Sequence, residues 1–462
     1  MSRTPADSVL IDTLRAIVGP TGLLLADDLQ QRHCGKPQHA RVLVRPTSTA
    51  EVSAVLAVCH TAGVSVVTQG GLTGLVHGAD SHPGEVILSL ERMRQIARVD
   101  TTQRVLVAEA GVILEQAQAA AAAVGLLVPV DLGARGSATL GGMVATNAGG
   151  NSVLRYGMMR DNVRGLEVVL ADGTVLDSMN QLVKNNAGYD LKQLFIGSEG
   201  TLGVVTRVVL RLWEAPTGRC TALLALPDYT AVGRLLRYLD QSLDGTLTSF
   251  EVMWPEFYRT VTTAPASNRP PLPRHHAFYV LVEASGSAPQ RDERFVRILA
   301  QAMEDGLIAD ATLATTERDR LALWAIRDDV AQLCHSGPLA AYDISLPLAD
   351  TDNYVECLRG AILARWPTAQ CWAFGHLGDG NVHIAVQVPD LDANARKTLD
   401  SLVYTPLRTL KGSLSAEHGI GMEKKAWLGV SRTQAEIALM RTLKQSLDPK
   451  GVLNPGRVLD LQ

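Results

Sequence analysis

Three separate glycine-rich segments interrupt the first half of the chain, and they constrain its fold more than any other feature. They are QGGLTGLVHG at 69–78, a longer stretch at 129–157, and LFIGSEGTLGVV at 194–205. Glycine permits positive φ and close backbone approach, so such loops can turn several amides toward one phosphate. The first segment is not the GxGxxG fingerprint of a Rossmann unit. Three such segments in one half predict binding of a large dinucleotide.

The surrounding sequence alternates short strands and helices. Val42–Val44 reads as a strand, and the capping-box spacing from Ser48 to Glu51 precedes apolar residues at helical intervals up to Cys59. A second strand follows at 64–67. The stretch 129–157 has little apolar periodicity, so we predict an irregular backbone wrapped around an extended polar ligand, with a long surface loop as the alternative. The stretch 194–205 reads as a buried strand pattern that breaks and resumes.

Composition narrows the class of protein. The chain has 462 residues, enough for two or three domains, and 46% hydrophobic with 19% charged residues is ordinary for a globular protein. A net charge of −4 gives no electrostatic footprint for nucleic acid, so no such partner is expected. No stretch reaches the roughly 18 apolar residues of a membrane span, and the first 20 residues lack a signal-peptide core. Six cysteines without CxxC spacing fit a reducing compartment, and a cytoplasmic location is predicted.

Two further motifs carry chemistry, GHLGDGNVH at 375–383 and SAEHGIG at 415–421. The glycines of the first disfavour a helix, so we predict an irregular turn that enters a strand with Val382, Ile384 and Val386 alternating along it. Such a turn lets His376 and His383 converge despite their odd spacing. Two imidazoles and a carboxylate with an open position predict a catalytic zinc site, and manganese or ferrous iron would accept the same ligands. Capped or solvated loop histidines are the alternative.

Six motifs in order resemble the FAD-dependent D-2-hydroxyacid dehydrogenases, which belong to the vanillyl-alcohol-oxidase-type flavoproteins. The motifs are QGGLTGL, DLGARGSATLGGMVATNAGG, NNAGYDLKQLFIGSEGTLG, GHLGDGNVH, SAEHGIG and LDPKGVLNPGR, and they span essentially the whole chain. The resemblance implies an α+β fold. It implies an FAD-binding domain at 1–214, a substrate domain at 215–410 built on an antiparallel sheet covered by helices, and a C-terminal segment at 411–462 that returns to the flavin.

The resemblance also implies cofactor contacts. The pyrophosphate would be cradled by Gly70, Gly71, Thr73 and Gly74. The cofactor would be lined by Ser137, Thr139, Gly141, Gly142, Asn147, Gly149 and Gly150. The adenine end would meet Glu199, Gly203 and Val204, and the isoalloxazine edge would meet Asn454. Members with covalent flavin usually have histidine at the position of Leu72, so non-covalent FAD is expected; His77 stands where relatives commonly have glycine and receives no role.

The implied reaction oxidises a D-2-hydroxy acid to the 2-oxo acid by hydride transfer to flavin N5. His418 would be the general base, Asn381 would orient the substrate, and Arg327 would pair with a substrate carboxylate. A surface salt bridge with Asp328 is the alternative for Arg327. The implied metal ligands are His376, His383 and Glu417.

Substrate and partners stay open at this point. Ala331 and Ala341 replace a threonine and a lysine of the D-2-hydroxyglutarate branch, which makes a less polar acid such as D-lactate competitive with D-2-hydroxyglutarate. The expected electron acceptor is a quinone or an electron-transfer flavoprotein, and the resemblance favours a homodimer. Two other classes remain, a non-catalytic flavoprotein subunit of a glycolate-oxidase-like complex and a metal-dependent hydrolase.

Overall fold

The computed structural model describes residues 5–25, 28–29, 38–286, 291–335 and 337–461. The chain forms two compact units. Unit 1 comprises Met1–Gly150, Gly157–Ala215 and Glu417–Gln462, and unit 2 comprises Asn151–Tyr156 and Pro216–Ala416. No helix in the described part of the chain combines the length and apolarity needed to cross a bilayer. Five cysteines are free thiols, and Cys34 lies outside the described residues.

Unit 1 contains eleven strands in the described residues. They are β1 Leu23–Leu25, β2 Val42–Val44, β3 Val66–Gln69, β4 Val86–Ser89, β5 Ile96–Asp100, β6 Val105–Glu109, β7 Leu126–Leu127, β8 Val163–Val169, β9 Val175–Ser178, β10 Val204–Arg211 and β11 Trp213–Glu214. One sheet has the order β1-β2-β4-β3, in which β2 and β3 run parallel to β4. The second sheet is antiparallel with the order β5-β6-β10-β8-β9, and β11 pairs with β7.

Unit 1 has an apolar core to which several helices, the parallel strands, the antiparallel strands and the C-terminal Val452 and Leu453 contribute. The helices of this unit among the described residues are Pro5–Val18, Thr49–Ala62, Leu114–Ala122, Leu140–Thr146, Met159–Asn162, Lys192–Phe195, Leu428–Ser431 and Gln434–Leu447. C-terminal Leu453 also bridges to Val66 of β3. The last segment of the chain is therefore an integral part of this unit.

The predicted strand, helix and strand after residue 42 are confirmed in order. Val42–Val44 is β2, and the second strand begins at Val66, two residues later than predicted. Helix Thr49–Ala62 is capped by the Ser48 side chain, which accepts from the Glu51 N–H at 3.2 Å. The Glu51 carboxylate accepts from the backbone of Thr47, one residue earlier than a strict capping box requires.

Two sequence interpretations in this unit are wrong. The stretch 129–157 contains the helix Leu140–Thr146, which forms because Thr139 caps its first turn and Asn147 ends it in a left-handed conformation with φ of 52°. The apolar residues that begin 194–205 are not a strand, since Leu194 and Phe195 belong to the short helix Lys192–Phe195. A strand starts only at Val204, the first residue of β10.

Unit 2 is built on one seven-stranded antiparallel sheet with the order β15-β12-β14-β13-β17-β18-β16. Its strands are β12 Gly218–Leu226, β13 Leu247–Met253, β14 Phe278–Gly286, β15 Asp310–Leu313, β16 Ala340–Ser345, β17 Gln370–Gly375 and β18 Asn381–Gln387. The described helices are Val153–Tyr156, Tyr229–Ser242, Pro255–Thr262, Arg291–Glu304, Glu317–Asp328, Leu348–Arg365, Ala393–Tyr404 and Leu407–Leu410. The expected antiparallel sheet with helical cover is confirmed.

Candidate active site

A cavity of about 340 Å³ in unit 1 brings together most of the glycine-rich segments. Helix Leu140–Thr146 contributes Gly142, Met143, Ala145 and Thr146, and the loop after β3 contributes residues 70–76, 78 and 79. Eleven of the predicted site residues line this cavity, namely Gly70, Gly71, Thr73, Gly74, Thr139, Gly142, Gly149, Glu199, Glu417, His418 and Asn454. Thr68 also lines it, and its Oγ1 atom is buried without a hydrogen-bond partner among the described residues. An elongated polar cofactor fits this arrangement of backbone amides and an unused hydroxyl.

The loop after β3 needs glycine for a specific reason. A Cβ at Gly71 would lie 1.9 Å from the Ser137 carbonyl oxygen, and one at Gly70 would lie 2.4 Å from Thr139 Oγ1. A Cβ at Gly74, by contrast, would meet no protein atom within 4 Å. Gly70 and Gly71 therefore bring two backbone segments together, whereas Gly74 leaves space open toward the cavity.

Six other predicted cofactor residues do not line this cavity, namely Ser137, Gly141, Asn147, Gly150, Gly203 and Val204. Several of them serve local packing instead. Gly141 lies against Ala110, and Gly203 leaves room for Val168 and Phe195. Their assignment as FAD contacts stays a prediction.

Glu199 and Asn454 fix two segments of the cavity wall. The Glu199 carboxylate accepts from the N–H groups of Ile420 and Gly421 at 2.7 and 2.8 Å. Burial raises the pKa of Glu199, although these hydrogen bonds and the charge of Lys424 act to lower it. The Asn454 amide donates to the Glu199 carbonyl at 2.6 Å and accepts from the Thr68 N–H at 2.9 Å. Glu199 thus holds the loop that follows His418, and Asn454 connects Glu199 to β3.

The predicted base and one predicted metal ligand are adjacent in unit 1. The Glu417 carboxylate accepts from the Gly150 N–H at 2.7 Å, and His418 lies beside it on the cavity wall. Leu72 also lines this cavity. His77 is more than half exposed, and its Nδ1 lies 2.7 Å from Asp80.

In unit 2 the motif 375–383 forms the tight connection between β17 and β18. The predicted irregular turn is confirmed as a single 3₁₀ turn, Leu377–Asp379, which leads into β18. The ring centroids of His376 and His383 lie 5.3 Å apart with the rings nearly perpendicular. Their convergence, expected from the turn, is confirmed. Two imidazoles at this separation suit a divalent metal.

Arg327 is buried, and it pairs with the buried Glu251 as well as with the exposed Asp328. It lies near the end of helix Glu317–Asp328, and its Nε donates to Glu251 Oε2 at 2.7 Å, whereas Asp328 is 3.7 Å away. The other Glu251 oxygen accepts from His376 Nδ1 at 2.7 Å. Burial alone would raise the pKa of Glu251, but His376 and the charged Arg327, which both donate hydrogen bonds to it, bring it well below its ordinary value. One carboxylate thus joins two predicted site residues.

Asn381 and Asp343 form a second buried pair. The Asn381 amide donates to Asp343 Oδ1 at 2.8 Å and to the Ile344 carbonyl at 3.0 Å. Asp343 also accepts from the Ala416 N–H at 3.1 Å. Asn381 Oδ1 is buried without a hydrogen-bond partner within the described ranges, so an acceptor is available for a metal-bound or substrate group.

Ala331 and Ala341, which replace polar residues of the D-2-hydroxyglutarate branch, are both exposed. In the register of β16 with β18, Ala341 lies opposite Ala385 and Asp343 lies opposite His383. Directly paired residues share a face, and positions two apart on a strand also share it. Ala341 is therefore on the same face of the sheet as His383.

Sequence reasoning missed Glu251, Asp343 and Thr68. Glu251 is the lone carboxylate in the otherwise uncharged strand Leu247–Met253. A charge inside such a pattern signals a buried cationic partner, because carboxylates are rarely buried unless paired. Asp343 lies in the sequence YDISLP at 342–347, two residues after Ala341. Thr68 has no comparable signal.

Comparison with known proteins identifies the family. The protein family described as "FAD binding domain" matches residues 40–178, and the family described as "FAD linked oxidases, C-terminal domain" matches residues 215–458. The D-2-hydroxyglutarate dehydrogenase, mitochondrial, of Bos taurus is 42% identical over 428 residues, which are 91% of this chain and 77% of the relative. This chain belongs to the FAD-dependent D-2-hydroxyacid dehydrogenase family. A relative in Stutzerimonas stutzeri, D-2-hydroxyglutarate dehydrogenase, is 33% identical over 98% of this chain and 99% of its own.

Membership of this family makes the chain an FAD-dependent oxidoreductase. The crystal structure of p-cresol methylhydroxylase superposes with a TM-score of 0.77 at 16% identity, covering 99% of this chain and 98% of that one. It shares the vanillyl-alcohol-oxidase-type fold, which confirms the predicted fold class. A metal-dependent hydrolase does not fit this family. The cytoplasmic location stays a prediction, since the Bos taurus relative is named mitochondrial.

Proposed function

We propose that this chain oxidises a D-2-hydroxy acid to the corresponding 2-oxo acid, with D-2-hydroxyglutarate as the first candidate substrate. Relatives with that name span most of the chain at 33% and 42% identity. The observation that carries the proposal is the convergence of a buried arginine and two histidine rings in unit 2. An arginine suits a carboxylate, and paired imidazoles suit a metal that binds the hydroxyl beside it.

The chain's own residues then divide the work. Arg327, with Nε fixed by Glu251, would direct its terminal nitrogens to a substrate carboxylate. Asn381 would accept from or orient the 2-hydroxyl group through its unpartnered Oδ1. His418 would remove the hydroxyl proton as general base. When bound, FAD supplies the hydride acceptor for the C2 hydrogen.

The metal assignment is part of the same proposal. His376 and His383 would be ligands together with Glu417, as the family resemblance implies, and zinc is the first candidate, with manganese or ferrous iron as alternatives. When bound, such a metal lowers the pKa of a coordinated hydroxyl. His418 follows Glu417 in the chain, so one loop would carry both the third ligand and the base.

Non-covalent FAD is proposed for the unit 1 cavity. The support is the aliphatic side chain of Leu72 on the cavity wall, because a hydrocarbon offers no atom for a covalent flavin bond. The electron acceptor is proposed to be a quinone or an electron-transfer flavoprotein, and the assembly a homodimer, both from the family resemblance. D-Lactate is the second candidate substrate, because Ala341 places no cation on the face of β16 that also carries Asp343.

Anaerobic flavin bleaching tests the proposal. The purified, metal-replete protein is mixed with D- and L-2-hydroxyglutarate and D- and L-lactate, and the flavin absorbance is followed before and after chelation. We expect bleaching by a D-acid that disappears with chelator and returns with zinc or manganese. A yellow protein that no hydroxy acid reduces would instead indicate the non-catalytic subunit, and bleaching that survives chelation would remove the metal from the proposal.

A further inference from the structure

Glu251 is a fully enclosed carboxylate at the centre of the seven-stranded sheet. It lies on β13, its side chain is 2% exposed, and each of its oxygens accepts one hydrogen bond from a charged or chargeable group. An ionised carboxylate in such a place is costly to bury unless it is paired. Its two partners, Arg327 and His376, are both residues to which the proposed function gives a role.

The bond to His376 determines which ring nitrogen carries the proton. With Nδ1 2.7 Å from Glu251 Oε1, the proton lies on Nδ1 and the lone pair lies on Nε2. The arrangement agrees with the second contact of the ring, because Nε2 lies 3.3 Å from the donor NH2 of Arg327. A histidine whose Nδ1–H is held by a carboxylate is prepared to bind a metal through Nε2.

The hydrogen bond between Arg327 and Glu251 also fixes the guanidinium group of Arg327. Its Nε is held 2.7 Å from Glu251 Oε2, and its central carbon lies 5.3 Å from the centre of the Phe374 ring. A planar group held at one edge and over one face has little freedom to rotate. The direction in which the terminal nitrogens point is therefore set by Glu251.

We propose that Glu251 is a positioning residue that holds His376 in its Nδ1–H tautomer and Arg327 in its carboxylate-binding orientation at the same time. This inference rests on the proposed function, which gives His376 to the metal and Arg327 to the substrate. Because one buried carboxylate holds both residues, metal binding through His376 and substrate-carboxylate binding through Arg327 depend on the same group. Loss of Glu251 would therefore impair both metal binding and substrate binding, although Glu251 itself would contact neither the metal nor the substrate.

Glu251→Gln is the direct test, because both partners of Glu251 donate hydrogen bonds and an amide offers only one acceptor oxygen. The amide NH2 would face Nε of Arg327 or Nδ1 of His376, and in the second case the histidine must move its proton to Nε2. We expect zinc affinity, measured on metal-free protein by competition with a chromogenic chelator, to fall at least tenfold. The KM for D-2-hydroxyglutarate should rise at least tenfold as well.

Glu283→Gln is the matched control. Glu283 is also a buried carboxylate in a strand of the same sheet, and it accepts from Thr221, Trp324 and Arg320. None of these hydrogen bonds involves Arg327 or His376. We expect this variant to melt at a lower temperature but to keep the zinc affinity and the KM of the unchanged protein. Equal losses in both variants would mean that Glu251 has a general structural role only, and would overturn the inference.

A spectroscopic measurement keeps the inference testable if Glu251→Gln does not fold. Multiple-bond proton–nitrogen correlation of metal-free protein labelled at its eleven histidines, with His376 assigned through His376→Asn, reports the tautomer directly. We expect the proton of His376 on Nδ1, and a proton on Nε2 alone would overturn the inference. Zinc affinity and tautomer need no substrate. If they behave as expected while no hydroxy acid reduces the flavin, the proposed function fails and the positioning role stands.

Discussion

At the scale of single residues, two glycines of one loop have different roles. Gly71 is required for close packing within the protein, whereas Gly74 leaves space that a cofactor could occupy. A methyl group at Gly71 would lie 1.9 Å from a carbonyl oxygen, whereas one at Gly74 would meet no protein atom. We expect Gly71→Ala to lower the free energy of unfolding of flavin-free protein by about 1–3 kcal/mol or more, because the backbone must shift. Thermal and urea unfolding would measure this change.

Gly74→Ala serves as the control for that prediction. It should leave the unfolding free energy of flavin-free protein unchanged within about 0.5 kcal/mol, as is usual away from packed features. If its side chain enters space that FAD occupies, flavin affinity alone should fall. Equal destabilisation by both substitutions would show that the packing at Gly71 has been misjudged.

Ala341 tests which acid the pocket selects. Ala341→Lys would add a cation on the face of β16 that also carries Asp343, so we expect kcat/KM for D-2-hydroxyglutarate relative to D-lactate to rise about tenfold or more, since charged hydrogen bonds contribute about 1.5–3 kcal/mol. Ala341→Met supplies similar length without charge and should not change the ratio. If Ala341→Lys does not raise this ratio, position 341 does not contact the substrate.

At the scale of elements, the C-terminal helix Gln434–Leu447 is attached to the segment that follows it by a buried ion pair. Lys444 donates to Asp448 and to the carbonyls of Thr201 and Leu453, and Asp448 accepts from the backbone of Val452 and Leu453. Burial lowers the pKa of Lys444, while Asp448 acts to raise it.

Removing one charge of this pair should be costly. We expect Asp448→Asn to lower the free energy of unfolding by about 3–5 kcal/mol, because it leaves a buried ammonium uncompensated. Asp460→Asn is the comparison, since Asp460 pairs with Lys425 at a side-chain exposure of 58% and should cost less than about 1 kcal/mol. Denaturant titration of both variants would decide, and similar losses would contradict the expectation.

The elements also show what sequence can and cannot predict. Helix Thr49–Ala62 was predictable because it is long enough to display both periodicity and a cap, whereas Leu140–Thr146 has seven residues, two of them adjacent glycines. The approach of His376 to His383 followed from a turn within one motif. Glu251 meets His376 across 125 positions in the sequence, so only the strand order of the sheet brings them together.

At the scale of the whole molecule, unit 1 consists of three separate chain segments, and the last of them supplies Asn454 to the cavity wall. We expect a protein ending at Ser431 to purify without flavin, because it lacks helix Gln434–Leu447 and the Asn454 bridge between Thr68 and Glu199. A protein lacking only Leu461 and Gln462 should remain yellow. Absorbance of the purified proteins measures this, and a yellow shortened protein would contradict the prediction.

The bridge between Val66 and Leu453 has a consequence for biosynthesis. Val66 leaves the ribosome long before Leu453, because the whole of unit 2 is made between them. Unit 2, apart from Asn151–Tyr156, is one continuous stretch from Pro216 to Ala416, so it can acquire its sheet during translation. The N-terminal part of unit 1 must wait with incomplete apolar packing until Val452 and Leu453 have been made, so we expect a chaperone to matter during this interval.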